Sequence, residues 1–202
     1  MMKKFLLSAS LILMSATGWA SPVLKQPAPD FSAKGSDGEL HKLSDYKNKF
    51  VVLEWWNKDC PYVKKHYGSG NMQALQNKFT KAGVVWLTVL SSAEGKQGFM
   101  PAADITKHMV AVEGKPTTVL LDSKGEIGRA YGAKTTPHMF IIDPTGKLIY
   151  MGAIDNKKSA DQADIKTSTN YVQEVLTLAM ANKPMPDGME LSTEPYGCHV
   201  KY

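Results

Sequence analysis

Two nearly continuous apolar runs, Val51 to Trp56 and Val84 to Leu90, stand out along the chain. Such runs, rich in valine, leucine and tryptophan, predict strands buried on both faces, as in a sheet covered by helices. Thr117 to Asp122 predicts a third strand. Met139 to Asp143 and Leu148 to Met151 predict a hairpin across the turn residues Asp143-Pro144-Thr145-Gly146. Helical spacing fills the intervals. A helix is expected from Pro61 to Tyr67, interrupted at Gly68-Ser69-Gly70. Asn71 then caps a continuation whose Met72, Leu75 and Phe79 share one face up to Gly83. Residues 91–100 read as a loop and Pro101 to Val112 as a helix. Gly125 to Gly132 holds a short helix around Ile127 and Tyr131. Tyr171 to Met180 is a final amphipathic helix, with Val172, Val175, Leu176 and Ala179 on one side.

The remaining segments are of another kind. Residues 21–48 carry Pro22, Pro27 and Pro29 and a Gly35–Gly38 turn, which reads as an extended arm and a small hairpin. Lys183 to Tyr202 is an irregular Pro/Gly-rich tail. The resulting βαβαββα order predicts an α/β fold, a mixed central β-sheet flanked by helices, with an N-terminal hairpin extension and an irregular C-terminal tail.

The N-terminus adds a compartment. Met1-Met2-Lys3-Lys4 is a short positive region, Phe5 to Met14 is apolar apart from Ser8 and Ser10, and Gly18-Trp19-Ala20 precedes Ser21. This is the pattern of a secretory signal peptide, with an apolar core too short for a stable membrane span. The expected division is a leader over residues 1–20, one domain over residues 21–182 and a tail over residues 183–202. Export across an inner membrane into a periplasm is the expected destination. The formal charge of +5 falls to +3 without Lys3 and Lys4, too mild to argue for nucleic-acid or membrane-surface partners. Lys64-Lys65 and Lys157-Lys158 read as solvated faces.

The chemistry sits at Cys60. An apolar strand passes through Trp55-Trp56, turns at Asn57-Lys58-Asp59, and reaches Cys60 just before Pro61 and a helix. Proline suits the first helical position, where its missing N–H costs nothing. A sulfur at a helix start meets unsatisfied N–H groups and the positive end of the helix dipole, which favour the thiolate. The chain holds one other cysteine, Cys198, 138 positions away. In an oxidising compartment the pair can close a disulfide. Such a bond is either a staple, worth roughly 3–5 kcal/mol on the chain-entropy model, or a redox pair in which Cys198 resolves a reactive Cys60. Siting one sulfur at an activating helix start favours the redox pair.

Thr135-Thr136-Pro137-His138-Met139 places a proline where the chain re-enters the sheet, which fits a cis-proline turn close to Cys60. With these features the chain resembles the thioredoxin superfamily, in its redoxin branch of thioredoxin-like and peroxiredoxin-like proteins. Ala28-Pro29-Asp30-Phe31 with Leu43-Ser44-Asp45-Tyr46-Lys47 is similar to that branch's N-terminal signature. Val51 to Lys65 is similar to its active-site strand and helix, Thr136-Pro137 to its cis-proline, and Asp143 to Lys147 to its last turn. The resemblance implies Cys60 and Cys198 as catalytic residues. Thr136, Pro137, Tyr62 and Pro61 would line the substrate groove, with Asn57 and Trp56 in support. It implies no metal and no cofactor.

The departures divide the functional readings. Thioredoxins carry Cys-x-x-Cys, and Cys60-Pro61-Tyr62-Val63 has valine at the second position, so the disulfide partner must be Cys198 or another protein's thiol. Peroxiredoxins carry Thr-x-x-Cys and a distant arginine. Here Asn57 stands at the threonine position, and the sole arginine, Arg129, reads as a surface residue. The expected function is an exported thiol-disulfide oxidoreductase acting on a protein thiol or disulfide and regenerated by an external thiol reductant. A peroxiredoxin-like thiol peroxidase is the alternative. A copper site from Cys60, His66, Cys198 and His199 is a third reading, since soft thiolates with imidazole suit Cu(I). Against it, a two-cysteine cluster at the helix start is missing, and His66, six residues from Cys60, is not on the same helical face. Without that role, His66 reads as an exposed helix residue and His199 as a tail residue.

Overall fold

A computed structural model describes residues 21–202; the expected leader lies outside the described residues. The elements follow in chain order. β1 (Ser32–Lys34) and β2 (Leu40–Lys42) make a small antiparallel hairpin. β3 (Val51–Trp55), α1 (Pro61–Gly68), α2 (Asn71–Lys81) and β4 (Val85–Leu90) follow. Next come α3 (Ala102–Ala111), β5 (Thr118–Leu121) and α4 (Glu126–Ala130). The chain then forms β6 (Thr135–Thr136), β7 (His138–Ile142), β8 (Leu148–Gly152), α5 (Tyr171–Met180) and β9 (Cys198–His199).

Five strands form the central sheet in the order β5-β4-β3-β7-β8. β3 runs parallel to β4 and β4 to β5, whereas β7 pairs antiparallel with both β3 and β8. The sheet is therefore mixed, as the element order implies, and β3 lies at its centre. Every residue of β3 and β4 is buried, which explains why both read as nearly continuous apolar runs, with Glu54 and Thr88 the polar exceptions.

The pleat sends alternate residues to two cores. Val52, Trp56, Cys60, Val63 and Phe79 join Val172, Val175 and Leu176 of α5 on one face. Val51, Leu53 and Trp55 join Phe140, Ile127 and Tyr131 on the other. Trp55 and Trp56 are thus both core residues, on opposite faces. The burial of two tryptophans directly ahead of Cys60 fixes the end of β3 against both layers.

Three local expectations are corrected. α2 is capped by Gly70, at φ 74°, not by Asn71; the left-handed bend between α1 and α2 demands glycine there. Asn71 instead directs its amide to His66. His66 is fully buried, not an exposed helix residue. Lys65, read as half of a solvated pair, is 1 % exposed. Two short 3-10 helices, Leu43–Tyr46 and Gln162–Thr167, add to the elements expected from the sequence.

Candidate active site

The turn leading to Cys60 is built by Asn57. Its Oδ1 accepts from the Asp59 N–H at 2.9 Å, and its backbone carbonyl accepts from Cys60 N–H at 3.1 Å. Its Nδ2 donates to Gln97 O at 3.2 Å. Both ends of the Asn57 amide are thereby committed to shaping the turn. Cys60 is the N-cap of α1, in extended conformation, with Pro61 in the first turn; its carbonyl accepts the first helical bond, from Lys64 N–H at 2.9 Å. Its side chain is free of capping duty and points across to the Thr136-Pro137 turn, whose peptide bond is cis. As a thiol, Cys60 donates through Sγ to Thr136 O at 3.0 Å.

Cys198 reaches the same place from the far end of the chain. β9 pairs antiparallel with β6, setting Cys198 opposite Thr136 and His199 opposite Thr135. Burial pushes the Cys60 thiol up. Hydrogen bonds to its sulfur from Cys198, from the Thr136 side chain and from the Val63 and Cys198 backbone N–H groups outweigh that, and the thiol lies below the ordinary cysteine value. Burial and the adjacent Cys60 sulfur push Cys198 up to about 12, against a smaller opposing pull from Lys201. Two neighbouring thiols are therefore driven apart in acidity. Cys60 ionises first and Cys198 acts as donor to it.

Of the other residues singled out, Pro137 is buried beside Thr136, Pro61 is exposed, and Tyr62 is half-buried, edge-on to Tyr196 with ring centroids 5.8 Å apart. Trp56 packs in the same core as Cys60 and lies 5.4 Å from the His108 ring. Arg129 is not at this site: it donates to Lys124 O and stacks over Tyr202 at 4.7 Å. His66 faces Asn71 and Asp155, and His199 is exposed. Among the described residues no three His, Cys, Asp or Glu side chains gather as metal ligands.

Two further buried polar clusters are present, and the partners of neither can be named from local sequence patterning. Glu54, in the middle of β3, is 1 % exposed. Its carboxylate accepts from Tyr67 Oη at 2.9 Å, Gln76 Nε2 at 3.0 Å, Trp86 Nε1 at 2.7 Å and Thr88 Oγ1 at 3.2 Å. Burial raises its pKa to about 7, and the four donors hold it from rising further.

The second cluster joins α1 to the tail. Lys65 Nζ pairs with Asp155 Oδ2 at 3.2 Å and donates to Lys157 O at 2.8 Å and Tyr196 Oη at 3.3 Å. Tyr196 donates in turn to Asp155. His66 accepts at Nδ1 from Asn71 at 2.8 Å, which leaves its proton on Nε2, 3.9 Å from Asp155 and unpartnered. Burial, with Lys65 adding to it and Asp155 opposing, pulls His66 down to about 4. It is neutral at physiological pH.

A mixed sheet with a cysteine at the helix start after its central strand, facing a cis-proline, defines the thioredoxin-like class of α/β proteins. The thioredoxin domain of a thiol-disulfide oxidoreductase from Bacteroides vulgatus has this fold, matching at a TM-score of 0.52 and 19 % identity over 73 % of this chain and 98 % of that one. Within the class, the AhpC/TSA family model matches residues 24–151, and the chain belongs to that family. The chain is 28 % identical to the thioredoxin-like protein YneN of Bacillus subtilis, over 82 % of this chain and 99 % of YneN. It is 29 % identical to the thiol-disulfide oxidoreductase ResA of the same organism, over 60 % of this chain and 63 % of ResA. No helix among the described residues is long and apolar enough to cross a membrane.

Proposed function

We propose that this chain is a thiol-disulfide oxidoreductase in which Cys60 is the attacking thiol and Cys198 the resolving one. The supporting observation is the juxtaposition at Thr136: Cys60 bonds its carbonyl, Cys198 is its strand partner, and the acidity of the two sulfurs is split in favour of Cys60. The Cys60 thiolate attacks one sulfur of a partner disulfide, forming a mixed disulfide and expelling the partner's other sulfur as a thiolate that takes up a proton. In the mixed disulfide Cys60 carries no charge, so the hydrogen bond and the charge that hold Cys198 protonated beside a Cys60 thiolate are absent. Cys198 then loses its proton and attacks Cys60, closing the Cys60–Cys198 bond and expelling the partner's second thiolate. Two electrons pass from the cysteine pair to the partner, and an external dithiol restores the pair.

In this reading Thr136 and Pro137 carry the docking edge, Pro61 and Tyr62 its rim, and Asn57 and Trp56 the support behind Cys60. The leader over residues 1–20 would deliver the protein to an oxidising compartment, a periplasm, where exchange chemistry has substrates. The test is the Cys198→Ser variant, mixed with a disulfide-bonded protein and quenched by alkylation. A persistent mixed disulfide at Cys60 is expected. Turnover equal to that of the parent would refute the resolving role of Cys198.

A further inference from the structure

The edge beside the cis-proline, suited to an extended partner strand, is already filled. β9 of the chain's own tail pairs along Thr135–Thr136, and Cys60 beneath it is 0 % exposed. No partner sulfur can reach Cys60 until that strand leaves. The tail is also held on both sides of β9. Tyr196 is gripped by Asp155, Lys65 and the edge of Tyr62. Val200 N–H donates to Lys134 O at 3.1 Å, and Tyr202 Oη to Ala133 O at 3.0 Å.

Gly197, between the Tyr196 anchor and Cys198, sits at φ 146°, and a Cβ there would collide with the Thr136 carbonyl oxygen. Only glycine passes this point with the cysteine still aimed at Cys60. The groove thus records what it accepts: an aromatic hydroxyl in the Lys65–Asp155 socket, then glycine, then cysteine.

We propose that residues 196–200 are an internal stand-in for the substrate strand. The partner is an extended polypeptide in which a cysteine is preceded by glycine and, one residue earlier, by an aromatic residue. It binds by displacing the tail along Thr135–Thr136. The returning tail brings Cys198 back to resolve the mixed disulfide. This rests on the exchange reading above.

The test uses the full chain carrying Cys198→Ser. Its probe is a synthetic peptide of sequence Glu-Pro-Tyr-Gly-Cys-His-Val, blocked at both ends, with its cysteine held as a mixed disulfide with thionitrobenzoate. The Cys60 thiolate attacks the peptide sulfur, forms the Cys60–peptide disulfide and expels coloured thionitrobenzoate. A second peptide has alanine in place of glycine, and a small aromatic disulfide serves as reference. The glycine peptide is expected to react at least tenfold faster than the alanine peptide. Loosening the tail by Tyr196→Phe at one end or Val200→Pro at the other is expected to raise the glycine-peptide rate severalfold.

Equal rates for the two peptides, or no acceleration by either tail variant, overturn the proposal when the small disulfide still reacts at Cys60. Failure of the small disulfide itself overturns the exchange reading and this proposal with it.

Discussion

Replacing Thr136 by valine isolates the contribution of one hydroxyl to the Cys60 thiolate. The Thr136 Oγ1 is buried and has no partner while Cys60 is a thiol directed at the Thr136 carbonyl. Once Cys60 ionises, that hydroxyl becomes one of the donors that hold the sulfur below the ordinary cysteine value. Valine keeps the shape and removes the donor. A hydrogen bond to a charged group is worth about 1.5–3 kcal/mol, and about 1.4 kcal/mol is tenfold in an equilibrium. The thiolate fraction of Thr136→Val below its titration midpoint should therefore fall roughly tenfold or more.

Absorbance of the thiolate near 240 nm reads this directly and does not require a reagent to reach a buried sulfur. Stability supplies the second readout. A thiol whose folded value is depressed gains stability on ionisation, and loses that gain as pH falls through the folded value. Thr136→Val should thus be less stable than the parent by about 1.5 kcal/mol or more at alkaline pH only. In acid, where the parent keeps an unpaired buried hydroxyl, the variant should be equal or more stable. An unchanged midpoint, or a stability difference independent of pH, would refute the reasoning.

Further outcomes follow from the flanking clusters and the tail. Glu54 titrates near 7 when folded and near 4.5 when unfolded, so the parent is favoured below about 4.5 and loses on the order of 3 kcal/mol as pH rises through 7. Glu54→Gln lacks that loss, and urea unfolding at pH 4.5 and 8 should show it gaining on the parent by that amount; a gap that does not change with pH would sink the assignment. Lys65→Met leaves Asp155 buried without its cation and should cost about 3–5 kcal/mol in the same assay, whereas a loss below 1 kcal/mol would mean Lys65 is not paired in solution. Gly197→Ala should slow Cys60–Cys198 closure at least tenfold with an unchanged circular dichroism spectrum; closure at the parent rate would show that the tail passes Thr136 by another path.

The sheet was legible because burial on both faces leaves a plain mark. β3 and β4 have no solvent side, so Val51–Trp56 and Val84–Leu90 could be read as central strands without knowing their partners. Cys60 at the start of α1 and the cis Thr136-Pro137 bond were equally readable, since proline at a first helical turn and before a strand each has a steric meaning. Lys65 was misread because charge periodicity reports solvent only when no countercharge is brought in, and Asp155 arrives from 90 residues later. Tyr196 and β9 were unreadable for the same reason, being fixed by long-range pairing with Asp155 and Thr135–Thr136. Glu54 did leave a signal: a lone carboxylate inside a central strand must find donors or a proton. Its four donors come from α1, α2 and β4, which no local pattern names.

The most direct measurement is the rate of Cys60–Cys198 closure in the fully reduced protein, followed by acid quench, alkylation and intact mass. One sample receives a disulfide-bonded protein and the other an equal concentration of hydrogen peroxide. Closure is expected to be faster with the disulfide, through an intermediate bearing the partner on Cys60. Closure by peroxide on the order of 10⁴ M⁻¹s⁻¹ or above, within the usual span of enzyme efficiencies, with a slower reaction towards the disulfide, would contradict the account and make the chain a peroxidase.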